Sequence, residues 1–243
     1  LRLPQMTLTA RDSHNSGGSC TIAGTYDPAR GNGQFTLNTV ALNQYALSPF
    51  LAPWLDPIRL NRFALTSKAS LAYNPAGKST VNAEVQLANL TIEDPSGKLP
   101  TKPVDLQFLA DVILNGTNDL RLNQVLLKLG DTRKGGPGGA VGLSGSVDLA
   151  SLKTSLAYGI TNVNETGLAA WLEPVLAPRT LASARLDGAG ALNYAPNAES
   201  RIQASLSVSN LLLAEAGGTN TALPAQASVK LDAMVKGQVL ELP

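Results

Sequence analysis

One unit is written twice in this chain, and that outweighs every local motif. Residue n laid on residue n + 121 pairs Asn43 with Asn164, Leu51 with Leu172, Pro53 with Pro174, Tyr73 with Tyr194, Pro75 with Pro196 and Asn89 with Asn210. From Asn43 to Leu90 the overlay needs no gap, and 15 of its 48 pairs are identical. Small shifts carry it outward, placing Gly24 and Asp27 on Gly145 and Asp148, and Leu1-Arg2-Leu3 on Leu120-Arg121-Leu122. The copies therefore read as residues 1–119 and 120–239, and the closing Leu240-Glu241-Leu242-Pro243 echoes Leu1-Arg2-Leu3-Pro4 as the start of a third. A self-similar period of this length predicts an array or elongated stack, in which a single asymmetric active site is out of place.

Strand periodicity dominates each copy. Val81, Ala83, Val85 and Leu87 alternate with Asn82, Glu84 and Gln86, and Ile202, Ala204, Leu206 and Val208 alternate with Gln203, Ser205 and Ser207. That period of two marks strands with one apolar and one polar face. After Asn89 the apolar parity moves to Leu90 and Ile92, and after Asn210 to Leu211 and Leu213. One inserted residue re-aims a strand in this way, so both asparagines are expected at β-bulges. Further strands are expected near residues 1–10, 19–26, 34–42, 61–73, 79–92 and 104–114, six per copy. Their short breaker-rich connections, such as Asn74-Pro75 and Ala195-Pro196, favour antiparallel neighbours. The junction around Asn115-Gly116-Thr117-Asn118 has turn composition and no linker, so the sheet should continue from one copy into the next.

One segment breaks the pattern. Leu47, Phe50, Leu51, Trp54 and Leu55 fall on a helical stripe, as do Leu168, Trp171, Leu172, Val175 and Leu176. Pro53 and Pro174 lie inside these stripes and should kink or end each helix after about two turns. Each copy is thus three strands, a short helical connector that packs on the sheet edge or touches a membrane, and three more strands. The fold class is mainly β, an elongated antiparallel β-sheet groove or sandwich.

Composition removes several functions. The 44% of hydrophobic residues come mostly from Leu, Ala and Val, aromatics make up 5%, and charged residues 15% against a typical ~25%. A net charge of +1 without a Lys/Arg cluster offers no footprint for a nucleic-acid backbone. The single Cys20 allows neither an internal disulfide nor a cysteine-based zinc site. No apolar run approaches the ~20 residues of a membrane helix, and Leu1 opens without a signal peptide, so a soluble piece of a longer chain is expected.

No catalytic or cofactor motif survives inspection. Gly77-Lys78-Ser79-Thr80 resembles the tail of a phosphate-binding loop, but Ala72 stands where that motif needs its first glycine, and the stretch joins two strands as a hairpin turn. The Gly-rich run from Lys134 to Gly139 lacks a strand-to-helix setting. His14, the only histidine, shares a polar loop with Asp12 and Ser13, and copy two offers Arg133 and Lys134 in that region. The acids Asp56, Glu93, Asp94, Asp105, Asp111 and Asp119 are scattered at strand ends with no metal or acid–base spacing. Three glycosylation sequons, at Asn89, Asn115 and Asn164, are matches that a chain rich in Asn and Thr makes by accident. No enzyme, no cofactor and no metal are expected.

The order Tyr26-Asp27-Pro28, Leu42-Asn43, Leu47-Ser48-Pro49-Phe50-Leu51-Ala52-Pro53, the strand ending at Tyr73, Asn89-Leu90 and Leu99-Pro100 resembles the AsmA-like proteins of Gram-negative envelopes, the superfamily that includes TamB. Copy two keeps the order through Asp148, Leu168-Ala169-Ala170-Trp171-Leu172, Pro174, Tyr194, Asn210-Leu211 and Leu223-Pro224. The resemblance implies a repeating β-groove, apolar inside and polar outside, along which phospholipid or other acyl-chain lipids lie. It implies a place in the periplasm or cell envelope and a role in outer-membrane biogenesis, with membrane contact or an inner-membrane anchor in parts outside this chain. The expected lining is Val81, Ala83, Val85 and Leu87 with Ile202, Ala204, Leu206 and Val208. The alternative is a structural or surface spacer whose same faces pack dry. What separates the two is whether the apolar face is covered.

Overall fold

The computed structural model describes residues 1–11, 16–100, 102–131, 136–196, 198–215, 223–236 and 239–241. Copy one comprises β1 (Arg2–Arg11), β2 (Ser16–Asp27), β3 (Asn32–Asn43), α1 (Gln44–Leu55), β4 (Arg59–Tyr73), β5 (Lys78–Glu93) and β6 (Val104–Asn115). Copy two comprises β7 (Asp119–Asp131), β8 (Gly136–Asp148), β9 (Thr154–Asn164), α2 (Glu165–Leu176), β10 (Thr180–Tyr194), β11 (Glu199–Ala214) and β12 (Ala225–Lys236), and the short β13 (Val239–Glu241) follows. All thirteen strands form one antiparallel sheet in sequence order. The sheet does not close, because β1 pairs with β2 and β13 with β12. The ladder continues across the junction between copies from Asn115↔Asp119 to Asp105↔Gly130, with one register shift between Asp111 and Val112.

Both expected bulges are present. Asn89 and Asn210 have φ of 55° and 54°, and the pairing register shifts between Leu87 and Leu90 and between Val208 and Leu211. Asparagine tolerates the left-handed region that a bulge of this type uses. The Asn89 amide, freed from the ladder, donates to Asp105 Oδ1 at 2.8 Å. A second pair of left-handed residues, Ala41 at 49° and Asn162 at 47°, lies at the ends of β3 and β9. Their amides donate to Thr66 Oγ1 at 3.3 Å and Asp187 Oδ1 at 2.9 Å, again equivalent positions. Gly18 and Gly139 cross these bulges so closely that a Cβ would strike the backbone of Ala41 and of Asn162 and Val163.

The helices correct the expectation drawn from their prolines. Each runs twelve residues, past Pro49 and Pro53 in α1 and past Pro174 in α2. A proline forfeits one helical hydrogen bond to the carbonyl four residues earlier. α1 has no fully buried residue, so water can serve the freed carbonyls there. Asn43 and Asn164 do two jobs at equivalent strand-to-helix corners. Asn43 Oδ1 accepts from the Tyr45 amide at 3.1 Å, and its Nδ2 donates to the Ser16 carbonyl at 2.7 Å. Asn164 accepts from the Thr166 and Gly167 amides at 2.9 and 3.4 Å and donates to the Pro137 carbonyl at 3.0 Å. One side chain thus caps the helix and ties it to the preceding hairpin.

Among the described residues a buried hydrophobic cluster lies at the helix end of the sheet. Phe63, Leu90 and Val104 of copy one bury together with Ala170 of α2, with Leu47, Leu60, Leu65, Leu87, Ile92 and Trp171 packed around them. Copy two's helix, which packs chiefly on its own strands β10, β8 and β7, thus also reaches copy one's cluster through Ala170 and Trp171. Lys102 and Glu173 close the contact with an ion pair at 2.6 Å.

The bulges make a stability prediction. Valine at position 89 or 210 would have to hold a φ near +55°, which costs a β-branched residue roughly 1–2 kcal/mol. Asn89→Val and Asn210→Val should each lower the free energy of chemical unfolding by that amount, whereas glycine at either site should be nearly neutral. Unchanged midpoints in both valine variants would contradict the bulge geometry.

Candidate ligand-binding face

Cross-strand partners share a face of a sheet, so the register decides which side chains meet. Starting from Val85, the partners run through Phe108, Leu127, Val141, Ile160, Gly188 and Leu206 to Val229. Starting from Ala83, they run through Ala110, Val125, Leu143, Tyr158, Gly190 and Ala204 to Leu231. Toward the other edge, Ala83 continues through Ala69, Leu37 and Ile22 to Met6. Val81, Ala83, Val85, Leu87, Ile202, Ala204, Leu206 and Val208 all fall on this one face, although six strand steps separate the two groups. The residues between them, Phe108, Leu127, Val141, Ile160 and Tyr158, belong to the same face and were not singled out from the sequence. Their strands alternate less cleanly, and only the register shows that they join.

The face is uncovered. Val81 is 41% exposed, and Ile202 and Leu206 are each 38% exposed, where a side chain sandwiched between two layers would be almost wholly hidden. Neighbours supply what cover exists: Tyr158 lies across Gly190, and Leu206 reaches over Gly188. A polar interruption on this face, Thr39 beside Ser67, is buried and paired with itself at 2.9 Å between hydroxyls. Near the helix end Leu47 of α1 and Ala170 and Trp171 of α2 pack over this face at Phe63, Leu90 and Val104.

The opposite face is polar and internally bonded. Glu84 Oε1 accepts from Gln86 and Gln107 at 3.0 and 2.9 Å, Asp111 accepts from Asn123 at 3.1 Å, and Asp232 accepts from Arg201 and Gln203. Two shallow depressions lie there. One of ≈ 490 Å³ is lined by Asn38, Lys68, Asn82, Glu84, Asp111 and Gln124, and one of ≈ 660 Å³ by Gln203, Ser205, Lys230 and Asp232 among others. Among the described residues no group of three or more His, Cys, Asp and Glu is placed to hold a metal ion, and no helix is long and apolar enough to cross a membrane.

The remaining candidates resolve into structure. Gly77 closes a hairpin by donating to the Asn74 carbonyl at 3.1 Å, and buried Ser79 holds the same turn from its hydroxyl; Ser200 repeats the arrangement at Ala195. Asp12, Ser13, His14, Arg133 and Lys134 lie outside the described residues. Comparisons with family profiles, with curated proteins and with solved structures returned no match.

Asp94 organises the loop that carries Lys102 and buried Pro100 toward α2. The Ser96 hydroxyl, with the backbone amides of Ser96, Lys98 and Leu99, holds its carboxyl down to about 2 from an ordinary 3.8. A carboxylate whose pKa is lowered by folding stabilises fully above its unfolded value, and the stabilisation is lost as pH falls through the folded one. The difference in melting temperature between wild type and Asp94→Asn should therefore be present at pH 5, shrink below pH 4 and vanish only below pH 2. A difference that stays undiminished between pH 5 and pH 2 would show that the carboxylate is not what holds the loop.

Proposed function

We propose that the chain is a lipid-binding segment of a bacterial envelope protein, holding phospholipid or other acyl chains along its apolar sheet face. One observation carries the reading: an apolar strip crosses strand after strand in register and stays more than a third exposed at Val81, Ile202 and Leu206. Apolar surface of this extent left in water is costly, and monomeric proteins rarely display it without a ligand or partner. An acyl chain meets the chemistry of such a strip, because aliphatic side chains in a row offer dispersion contacts and no hydrogen-bond demand. The AsmA-like resemblance supports the same ligand class and a place in the periplasm or envelope, with the membrane anchor borne by another part of a longer protein. No catalytic or cofactor role enters this reading.

A second reading, a spacer without ligand, is favoured by the position of the depressions on the polar side. In that case the apolar strip is covered by protein.

The test joins lipid analysis to two substitutions. Native mass spectrometry of the purified protein should find phospholipid bound. Val85→Asp and Leu206→Asp place a carboxylate on a wet face, so both variants should fold and melt within a few degrees of wild type, while bound lipid falls several-fold. On a dry, covered face an unpaired carboxylate costs several kcal/mol, comparable to the whole stability of a domain, and the variants would misfold. A wild type that never carries lipid, or folded variants with undiminished lipid, would reject the proposal.

A further inference from the structure

α1 and α2 each carry one apolar side chain that neither neighbouring copy covers. Trp54 is 87% exposed, and Val175, its equivalent by the repeat, is 79% exposed. α1 has copy two after it, and α2 has copy one before it. If a preceding copy covered this position, Val175 would be hidden; if a following copy covered it, Trp54 would be. Both are exposed, so the exposure belongs to the repeat itself. The seam between the copies uses other residues of α2, namely Ala170, Trp171 and Glu173.

Both positions lie at one end of the sheet. β3 and β9 are six steps apart in an antiparallel meander, so they run the same way and deliver their helices to the same end. At about 4.8 Å per step, Trp54 and Val175 stand about 29 Å apart along it. The opposite end of the sheet carries charged turns, with Asp27 paired to Arg30 at 3.8 Å and Asp119 to Arg121 at 3.0 Å. Leu149 and Leu152 are exposed in one of those turns, but their counterparts are Pro28 and Gly31, so no apolar position is repeated there.

The chemistry around Trp54 selects its neighbour. α1 has no charged residue from Gln44 to Leu55, and just beyond it lie exposed Asp56, Arg59 and Arg62, two positive charges against one negative. After α2, Arg179 pairs with exposed Glu215 at 3.4 Å. An uncharged helix with a protruding tryptophan and arginines at its end suits the interface of an anionic bilayer, where tryptophan sits at headgroup level and arginine meets lipid phosphate. A folded protein partner would need one socket shape for a repeated position. Tryptophan and valine differ by a whole ring system, and a fluid surface takes either.

We propose that the helix end of the sheet rests on an anionic lipid bilayer, with Trp54 and Val175 set among the headgroups and Arg59 and Arg62 against lipid phosphates. The contact is peripheral, and its two points act together where either alone is weak. It is made by the end of the sheet and not by the apolar face, so it does not depend on that face carrying lipid.

Trp54 supplies its own probe. The chain has two tryptophans, so Trp171→Phe, which installs the residue that copy one uses at that position, leaves Trp54 as the sole reporter. With vesicles of phosphatidylcholine and phosphatidylglycerol in equal parts, its emission should move to shorter wavelength and be quenched by brominated acyl chains. In vesicle flotation the bound fraction should fall several-fold with Trp54→Ser, with Arg59→Gln and Arg62→Gln combined, and on phosphatidylcholine alone. Trp54→Ser alters an exposed site, so its melting temperature and the phospholipid it carries in native mass spectrometry should match wild type. Wild type that does not float, undiminished flotation of Trp54→Ser, or a Trp54 emission that shifts with protein concentration before any vesicle is added would overturn the proposal. Flotation without bound lipid would support this contact and reject the acyl-chain face, and bound lipid without flotation would do the reverse.

Discussion

The backbone ladder is the constraint on which the rest depends. Every strand pairs only with its neighbours in sequence, so the choice of face made at β1 is handed on, rung by rung, to β12. A slip of one residue anywhere would turn every later apolar side chain to the wrong side. Bulges are how the chain controls this. Those at Asn89 and Asn210 occur at equivalent places near the helix end, others at Leu3/Met6 and Leu122/Val125 lie toward the opposite end, and the long central rows from Ala83 to Leu231 stay in step. Each cross-strand contact is worth only about 0.2–1 kcal/mol, so stability accumulates along the sheet and is concentrated only at the helix end.

That concentration couples the copies. The buried cluster of Phe63, Leu90 and Val104 draws its lid from the next copy, so the repeat that a duplication defines in sequence differs from the unit that packs. In a stack of this kind each unit is stabilised mainly by its neighbour, and terminal units show the surfaces that internal ones hide. At the seam between the copies Trp171 packs on the buried cluster, whereas its counterpart Phe50 is exposed.

Much of this was legible in the residues. The alternation at Val81–Leu87 and Ile202–Val208 located the strands, their polar faces and, through the parity change at Asn89 and Asn210, the bulges. The hairpin at Gly77 followed from its composition and its misplaced phosphate-loop spacing. The second bulge pair was not legible at Ala41, because alanine carries no turn signature, and Asn162 alone did not mark it; Gly18 passes close against the Ala41 backbone there. α1 outran its prolines because its exposed surface lets water satisfy a freed carbonyl, whereas α2 continues past Pro174 although the carbonyl that proline frees belongs to buried Ala170. Nor could sequence spacing reveal that Ala170 and Trp171 would cover copy one, a contact between residues far apart in the chain. The candidate lining was legible as two separate rows; that they are one face is a property of the register alone.

The central claim is that the apolar face belongs to a single open layer. Paired spin labels at Val81→Cys and Ile202→Cys, in a Cys20→Ser background, measure this most directly, because six strand steps separate β5 from β11. At about 4.8 Å per step an open, gently curled sheet puts the labels about 25–30 Å apart. A separation near the ~10 Å spacing of stacked sheets would mean that the two copies fold face to face and that the apolar surface is a dry core.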